Sequence, residues 1–248
     1  MQSTHDEDDE RQASLKADQA AAIPFENKML AFRALKQGLK FNYENWRMWT
    51  NYTIVAMDVG ELAEACRALG RVVEERAAKV GPESVDVDVL DRLVDGATRV
   101  PPLGESDSSS SAQSVNEGPG LLRRVEDLFV RIILPRVSSP RIFRARARLL
   151  VAQGKLSEAL EAYMEGYRVG VAGQIEVGET DVERWREGVR EVEDIYDVLV
   201  NYGPKVEGCK WKLQARSIVR TFMGRTRDFE DEQEWSRLRE LLTDLGEK

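Results

Sequence analysis

The 248-residue sequence predicts an all-α protein, a solenoid of stacked helical hairpins with roughly nine or ten helices and no sheet. Three observations predict it. Apolar residues recur at spacings of three and four, which gathers them on one face of a helix. No segment sustains the two-residue alternation of a half-buried strand. Small and large residues also return at a 34-residue interval, as they do in helix-turn-helix repeats.

The elements follow in order. From Phe25 onward, Met29, Phe32, Leu35 and Leu39 mark the first helix. Two more helical patterns cover 46–57 and 61–79, separated by Gly60 as the breaker, and a shorter one covers 86–99 on Val87, Leu90, Leu93, Val94 and Ala97. Further helices are expected at 120–135, 140–153, 156–168, 181–202, 208–226 and 229–245, with Pro135, Gly154, Gly203-Pro204 and the polar 224–228 stretch between them.

Two segments break the pattern. Residues 1–15 carry an unbroken acidic run from Asp6 to Glu10 and read as a disordered arm. Residues 100–119 contain Pro101-Pro102 and hold five serines within 106–111, so they read as a flexible Ser/Pro/Gly linker. The chain therefore divides into a helical repeat block at 16–99 and a C-terminal helical block at 120–248.

The repeat register is specific. Ala31 and Ala65 are 34 residues apart, as are Leu35 and Leu69. Upstream of Ala65, residues Trp49, Tyr52, Thr53, Ala56 and Gly60 occupy the large and small positions of a tetratricopeptide repeat. Small residues let the two helices of a hairpin approach closely, and the bulky ones fill the space to the next hairpin. A degenerate copy aligns at Phe143, Ala147, Leu150, Gly154, Ala159 and Tyr163, with Arg146 where an apolar residue is expected. This makes the cluster Tyr43, Trp46, Trp49 and Tyr52 a packing feature rather than a base-stacking platform.

Composition narrows the function classes. The balance of 36 basic against 44 acidic residues favours neither nucleic acid nor an anionic membrane surface. No apolar run approaches the ~20 residues of a membrane span. The acidic start, MQSTHDEDDE, lacks the basic-then-apolar order of a signal peptide, so a cytoplasmic or nuclear location is expected. Cys66 and Cys209 stand alone without zinc-site spacing and read as two buried thiols in a reducing compartment. His5, the only histidine, lies in the acidic arm, and no phosphate loop or metal motif is present. No catalytic residue, metal, cofactor or small-molecule ligand is expected.

At LKQGLKFNYENWRMW (Leu35 to Trp49) and MDVGE (Met57 to Glu61) the sequence resembles the tetratricopeptide repeat protein 27 family, known in fungi as the Emw1 family. The resemblance covers 25–99 and extends more weakly, in helix order, from 119 onward. Members are considerably longer, with this segment at their C-terminal end, which implies that the chain is a piece of a longer protein or a short relative that starts in mid-repeat. It also implies a non-catalytic intracellular scaffold associated with spliceosomal ribonucleoprotein assembly, hence mRNA splicing, and with fungal cell-wall integrity. The family supplies no catalytic motif to carry over.

A scaffold binds proteins through the first helices of its hairpins. In the first complete repeat the expected face holds Arg47, Thr50 and Ile54, which lacks the residues of a carboxylate clamp for a chaperone tail. In the degenerate copy the same positions are Arg141, Arg144 and Arg148, on one helical face. Residues 121–148 hold eight arginines against two acids. Arg47, Arg141, Arg144 and Arg148 are thus the candidate partner-binding residues, with an acidic segment of another protein as the expected occupant.

The competing readings are pairing of these arginines with acids such as Glu158, Glu161 and Glu165, and docking of the acidic arm on the same strip. Two other functions compete with the scaffold: direct RNA binding, carried only by the arginine-rich segment, and the helical subunit of a protein prenyltransferase, carried only by Asn42-Tyr43-x-x-Trp46. An unfinished repeat at the N-terminal edge predicts self-association.

Overall fold

The structure, a computed structural model, describes residues 23–80, 85–99 and 119–246; the expected acidic arm and the expected linker up to residue 118 lie outside the described residues. Among the described residues eleven α-helices follow one another: α1 (Phe25–Phe41), α2 (Trp46–Asp58), α3 (Leu62–Val80), α4 (Val87–Arg99), α5 (Pro119–Leu128), α6 (Pro140–Ala152), α7 (Leu156–Val169), α8 (Val171–Gln174), α9 (Val182–Tyr202), α10 (Trp211–Arg225) and α11 (Gln233–Asp244). No strand is present among the described residues. The one helix beyond the expected number is α8, a single turn too short for periodicity to reveal.

Local chemistry explains where the helices start. Asn45 accepts a hydrogen bond from the Met48 N–H, Asp86 from Asp88 and Val89, and Asp181 from Glu183 and Arg184, so each caps the orphan donors of the helix it opens. Pro140 stands in the first turn of α6, where its missing N–H costs nothing.

The expected helix over 120–135 ends differently. Beyond Leu128 the chain widens into a π-helical turn, Phe129–Ile133, in which the Leu134 N–H donates to the Phe129 carbonyl at 2.9 Å. Pro135 has no N–H to offer the Arg131 carbonyl four residues back. The Arg136 guanidinium replaces it, donating to the carbonyls of Arg131 (3.3 Å) and Ile132 (2.9 Å).

The two hairpins placed by the repeat register, α2–α3 and α6–α7, close with the same turn. Gly60 and Gly154 both take positive φ, +86° and +75°, which a residue with a Cβ adopts only with strain. The Glu61 N–H donates to the Ala56 carbonyl at 2.8 Å, and the Lys155 N–H to Leu150 at 2.9 Å. The glycine N–H groups donate to Met57 and Val151, at 3.1 and 2.9 Å. Ala65 and Ala159, the small residues of the second helices, are fully buried where those helices meet the first ones.

The core runs as two large clusters joined by a small one. The first draws on α1 to α6, from Phe32 and Tyr52 through Leu93 and Phe129 to Ile142 and Leu149. The second draws on α7 to α11, centred on Trp185, Val192, Leu199 and Phe222. Between them Ala147, Leu150, Ala159 and Ala162 form the close interface within the α6–α7 hairpin. That hairpin therefore belongs to both halves, and helices of both halves reach its outer face.

At the other end, no helix among the described residues packs over the α1 copy of the pattern. Ala31 is exposed and Leu35 only half-buried; with Met48, Ile54 and Val55 they line an apolar groove of about 560 Å³ between α1 and α2. No helix among the described residues is long and apolar enough to cross a membrane.

Candidate functional site

The α6 arginines stand at the junction of the two halves, over a cleft of about 400 Å³ bounded by α4, α6, α7 and α9. Positions 141, 144 and 148 lie on one face of α6, as their spacing requires. On one side of them runs α4, whose Asp88, Asp91 and Asp95 share a face by the same rule; on the other runs α9 with Glu191, Asp194 and Asp197. One basic row is thus bracketed by two acidic rows.

All three guanidiniums are engaged. Arg141 donates to Asp88 at 2.6 Å and to Asp91 at 3.2 Å. Arg148 donates to Asp91 and, at 2.9 Å, to Asp95. Arg144 turns the other way, to Glu191 at 3.4 Å and Asp194 at 3.7 Å. The arginines therefore pair with acids, but with those of α4 and α9 rather than Glu158, Glu161 and Glu165. Those glutamates lie along a separate groove of α7 with Phe143, Arg146 and Met164.

Glu191 has a second task. Its other carboxylate oxygen accepts the Ala172 N–H at 2.9 Å, so it links α6, α8 and α9 while remaining only 15% exposed. Burial of a carboxylate is tolerable only with such partners.

The floor of the cleft is aromatic and aliphatic. Tyr163 and Tyr167 of α7 and Ile195 and Val198 of α9 line it, and the Tyr163 ring stacks on Tyr202 at 6.5 Å between centroids. Burial pushes the Tyr163 hydroxyl upward, helped by the neighbouring Tyr202, and pushes Tyr167 up to about 12. Both phenols stay protonated, and so able to donate a hydrogen bond, throughout the neutral range.

The remaining candidates lie elsewhere. Arg47, in the first turn of α2, is exposed against the Trp46 ring at 5.3 Å and does not line the cleft. Arg131 pairs with Asp127 at 3.3 Å, and Arg136 serves the π-helical turn. Half-buried Arg146 lies close enough to Glu126 to help lower its carboxyl pKa, against burial and beside the larger effect of the Lys155 ammonium. The arginine-rich stretch is thus split among several environments.

The Asn42-Tyr43-x-x-Trp46 fragment forms the α1–α2 corner. The Tyr43 carbonyl accepts a 2.6 Å hydrogen bond from the Trp49 indole, and Arg71 and Arg76 lie over the Tyr43 and Trp46 rings. Tyr52 stacks on Phe32 at 5.1 Å and donates to Glu64. These contacts are packing.

Sequence reasoning found the α6 row and missed both acidic rows. The signal was present in Asp88, Asp91 and Asp95 at helical spacing and in Glu191, Asp194 and Asp197 likewise, but which acids meet which arginines depends on how helices far apart in sequence stack. No group of three or more His, Cys, Asp or Glu residues suited to a metal ion occurs among the described residues.

Comparison with known proteins fits the fold. The chain is 28% identical over 223 residues, 88% of its length, to a TPR repeat-containing protein of Schizosaccharomyces pombe. It is 28% identical over 229 residues, 87% of its length, to the Essential for maintenance of the cell wall protein 1 of Saccharomyces cerevisiae. A tetratricopeptide repeat-containing protein of Caenorhabditis elegans matches 60% of the chain, again at 28% identity. The chain spans 26%, 24% and 19% of the lengths of these relatives, about a quarter or less. No family profile matches, and no solved structure matches. The names of the relatives support a tetratricopeptide-type family, in agreement with the all-α stack of hairpins and the register shared by α2–α3 and α6–α7.

Proposed function

We propose that this chain is a non-catalytic protein–protein interaction scaffold whose docking surface is the cleft bounded by α4, α6, α7 and α9. One observation carries the reading: elements from both halves of the fold converge on an open, aromatic-floored cleft with ion-paired charges on its walls. Grooves of this kind, apolar below and polar at the rim, are where protein segments bind.

In this reading Arg141, Arg144 and Arg148 fix the walls of the cleft, and Arg47 is not part of it. An acidic segment, the occupant expected from the arginines alone, would have to displace carboxylates that already pair with all three. Direct RNA binding meets the same obstacle, since phosphate contacts draw on available cations. The prenyltransferase-subunit reading loses its motif to the α1–α2 corner.

The similarity to a protein named for maintenance of the cell wall supports a role in that process, and the resemblance to the tetratricopeptide repeat protein 27 family supports one in spliceosomal ribonucleoprotein assembly. A cytoplasmic or nuclear location accords with both roles.

Site-specific cross-linking tests the docking surface. A photoreactive amino acid at Val198, on the α9 wall of the cleft, is expected to trap discrete protein partners that the same group at exposed Leu213 of α10 does not. Equal trapping at both positions would remove the cleft as the docking surface.

A further inference from the structure

The charge of the cleft points to the chemistry of its partner. Three guanidiniums face six carboxylates, those of Asp88, Asp91, Asp95, Glu191, Asp194 and Asp197. The surplus is not spread evenly. Arg141 and Arg148 both hold Asp91 and so draw the α4 row together, whereas Arg144 alone serves α9. On α9 it reaches Glu191 and only grazes Asp194, which is 64% exposed. Asp197 is exposed and makes no ion pair among the described residues. The α9 wall thus presents two acids one helical turn apart, beside the apolar Val198 and the stacked Tyr163 and Tyr202 rings.

That arrangement fits a long basic side chain. The methylene stem of Lys or Arg packs on aromatic and aliphatic surface while its head group meets a carboxylate, and a guanidinium also gains from an aromatic face. The arginine pairs tie α6 to α4 and to α9, so the backbone that carries Asp194 and Asp197 is ordered before a ligand arrives. A net negative chain, −8 overall, adds long-range attraction for a positively charged segment.

We propose that the cleft binds a short Lys- or Arg-bearing segment of a partner protein, held by Asp194 and Asp197 over the Tyr163 side of the floor. The proposal rests on the reading of the cleft as a docking surface and reverses the sign of the partner expected from the arginines alone.

Fluorescence anisotropy with two labelled probes of equal length tests it: one peptide alternating Lys or Arg with Leu, the other alternating Glu with Leu. The basic peptide should bind the chain in preference to the acidic one. Asp194→Asn with Asp197→Asn should weaken that binding about tenfold, and added salt should weaken it further. Glu158→Gln with Glu161→Gln, which removes the same charge from the other groove of α7, should change it less than about twofold. Circular dichroism establishes that both variants keep their helicity.

Equal losses in the two variants would reduce the binding to general charge attraction and overturn the proposal. Preference for the acidic peptide, abolished by Arg144→Gln, would overturn it while leaving the cleft as a docking surface. Binding of neither peptide would also overturn it, and cross-linking from position 198 then decides separately whether the cleft docks proteins at all.

Discussion

The hairpins α2–α3 and α6–α7 share a turn, a pair of glycines at positive φ and a buried alanine at the same register, yet their outer faces are put to different uses. At the position of Tyr52, which stacks on Phe32 of α1, the second hairpin has Arg146 beside Glu126. Where the first hairpin has Arg47, Thr50 and Ile54, the second has three arginines tied to two neighbouring helices. The backbone of the repeat tolerates this because its geometry depends on the small residues at the hairpin interface and on the turn. The outward positions are free to carry packing in one copy and charge in the other.

Substitutions at matched positions sharpen the contrast. The largest effect is expected at the position held by Leu69 in the first hairpin and Tyr163 in the second. Leu69→Ala should cost about 2–5 kcal/mol in chemical denaturation, since Leu69 is 2% exposed in the first core. Tyr163→Ala should cost less, because the ring is only half-buried, and should impair binding at the cleft instead. Equal stability losses would break the distinction between a packing copy and a docking copy.

Next come the features the hairpins share. Ala65→Leu and Ala159→Leu should each destabilise by roughly 1–3 kcal/mol through overpacking of the helix interface. Gly60→Ala and Gly154→Ala should each cost about 1 kcal/mol from positive φ alone, because a Cβ at either site meets no neighbour. A clear difference between the members of either pair, read by thermal or urea unfolding, would show that the register is not structurally equivalent.

Smaller effects come from ionisation. Burial alone would raise the Glu64 carboxyl in the first hairpin, but its hydrogen bonds from Lys36 and Tyr52 and the charge of Arg67 outweigh that and hold it below the usual carboxylate range. A folded pKa below the unfolded one gives stability that is present above the unfolded value and lost as pH falls through the folded one. Glu126, lowered by Lys155 in the second hairpin, behaves alike. Acid unfolding of Glu64→Gln and Glu126→Gln should therefore lack part of the wild-type loss of stability below about pH 4.5.

Thiol reactivity gives a last, local check. Burial pushes Cys66 up to about 12, whereas Cys209 is only half-buried. At pH 8 a thiol reagent should modify Cys209 in the folded chain and Cys66 only after unfolding.

Much of this was legible in the sequence. Helical periodicity placed ten of the eleven helices within a few residues, because each has an amphipathic stripe several turns long. Gly60 and Gly154 announced the two turns because few other residues accept that backbone conformation. The short α8 and the π-helical turn were not legible: the first lacks periodicity, and the second arises from the missing N–H of Pro135 and its replacement by Arg136. The arginine row was legible and its meaning was not. Local charge counts see the arginines of 121–148, but Asp91 and Glu191 reach them only through the stacking of helices about 50 residues away on either side.

Hydrogen exchange of the chain with a partner protein bound non-covalently, identified by the cross-linking but left unlinked, tests the central claim most directly. The account predicts slowed exchange at residues 141–148 and 191–198, the arginine row and the opposite acidic wall. Protection confined to 31–55, over the open α1–α2 groove, would contradict it and transfer the docking surface to the first hairpin.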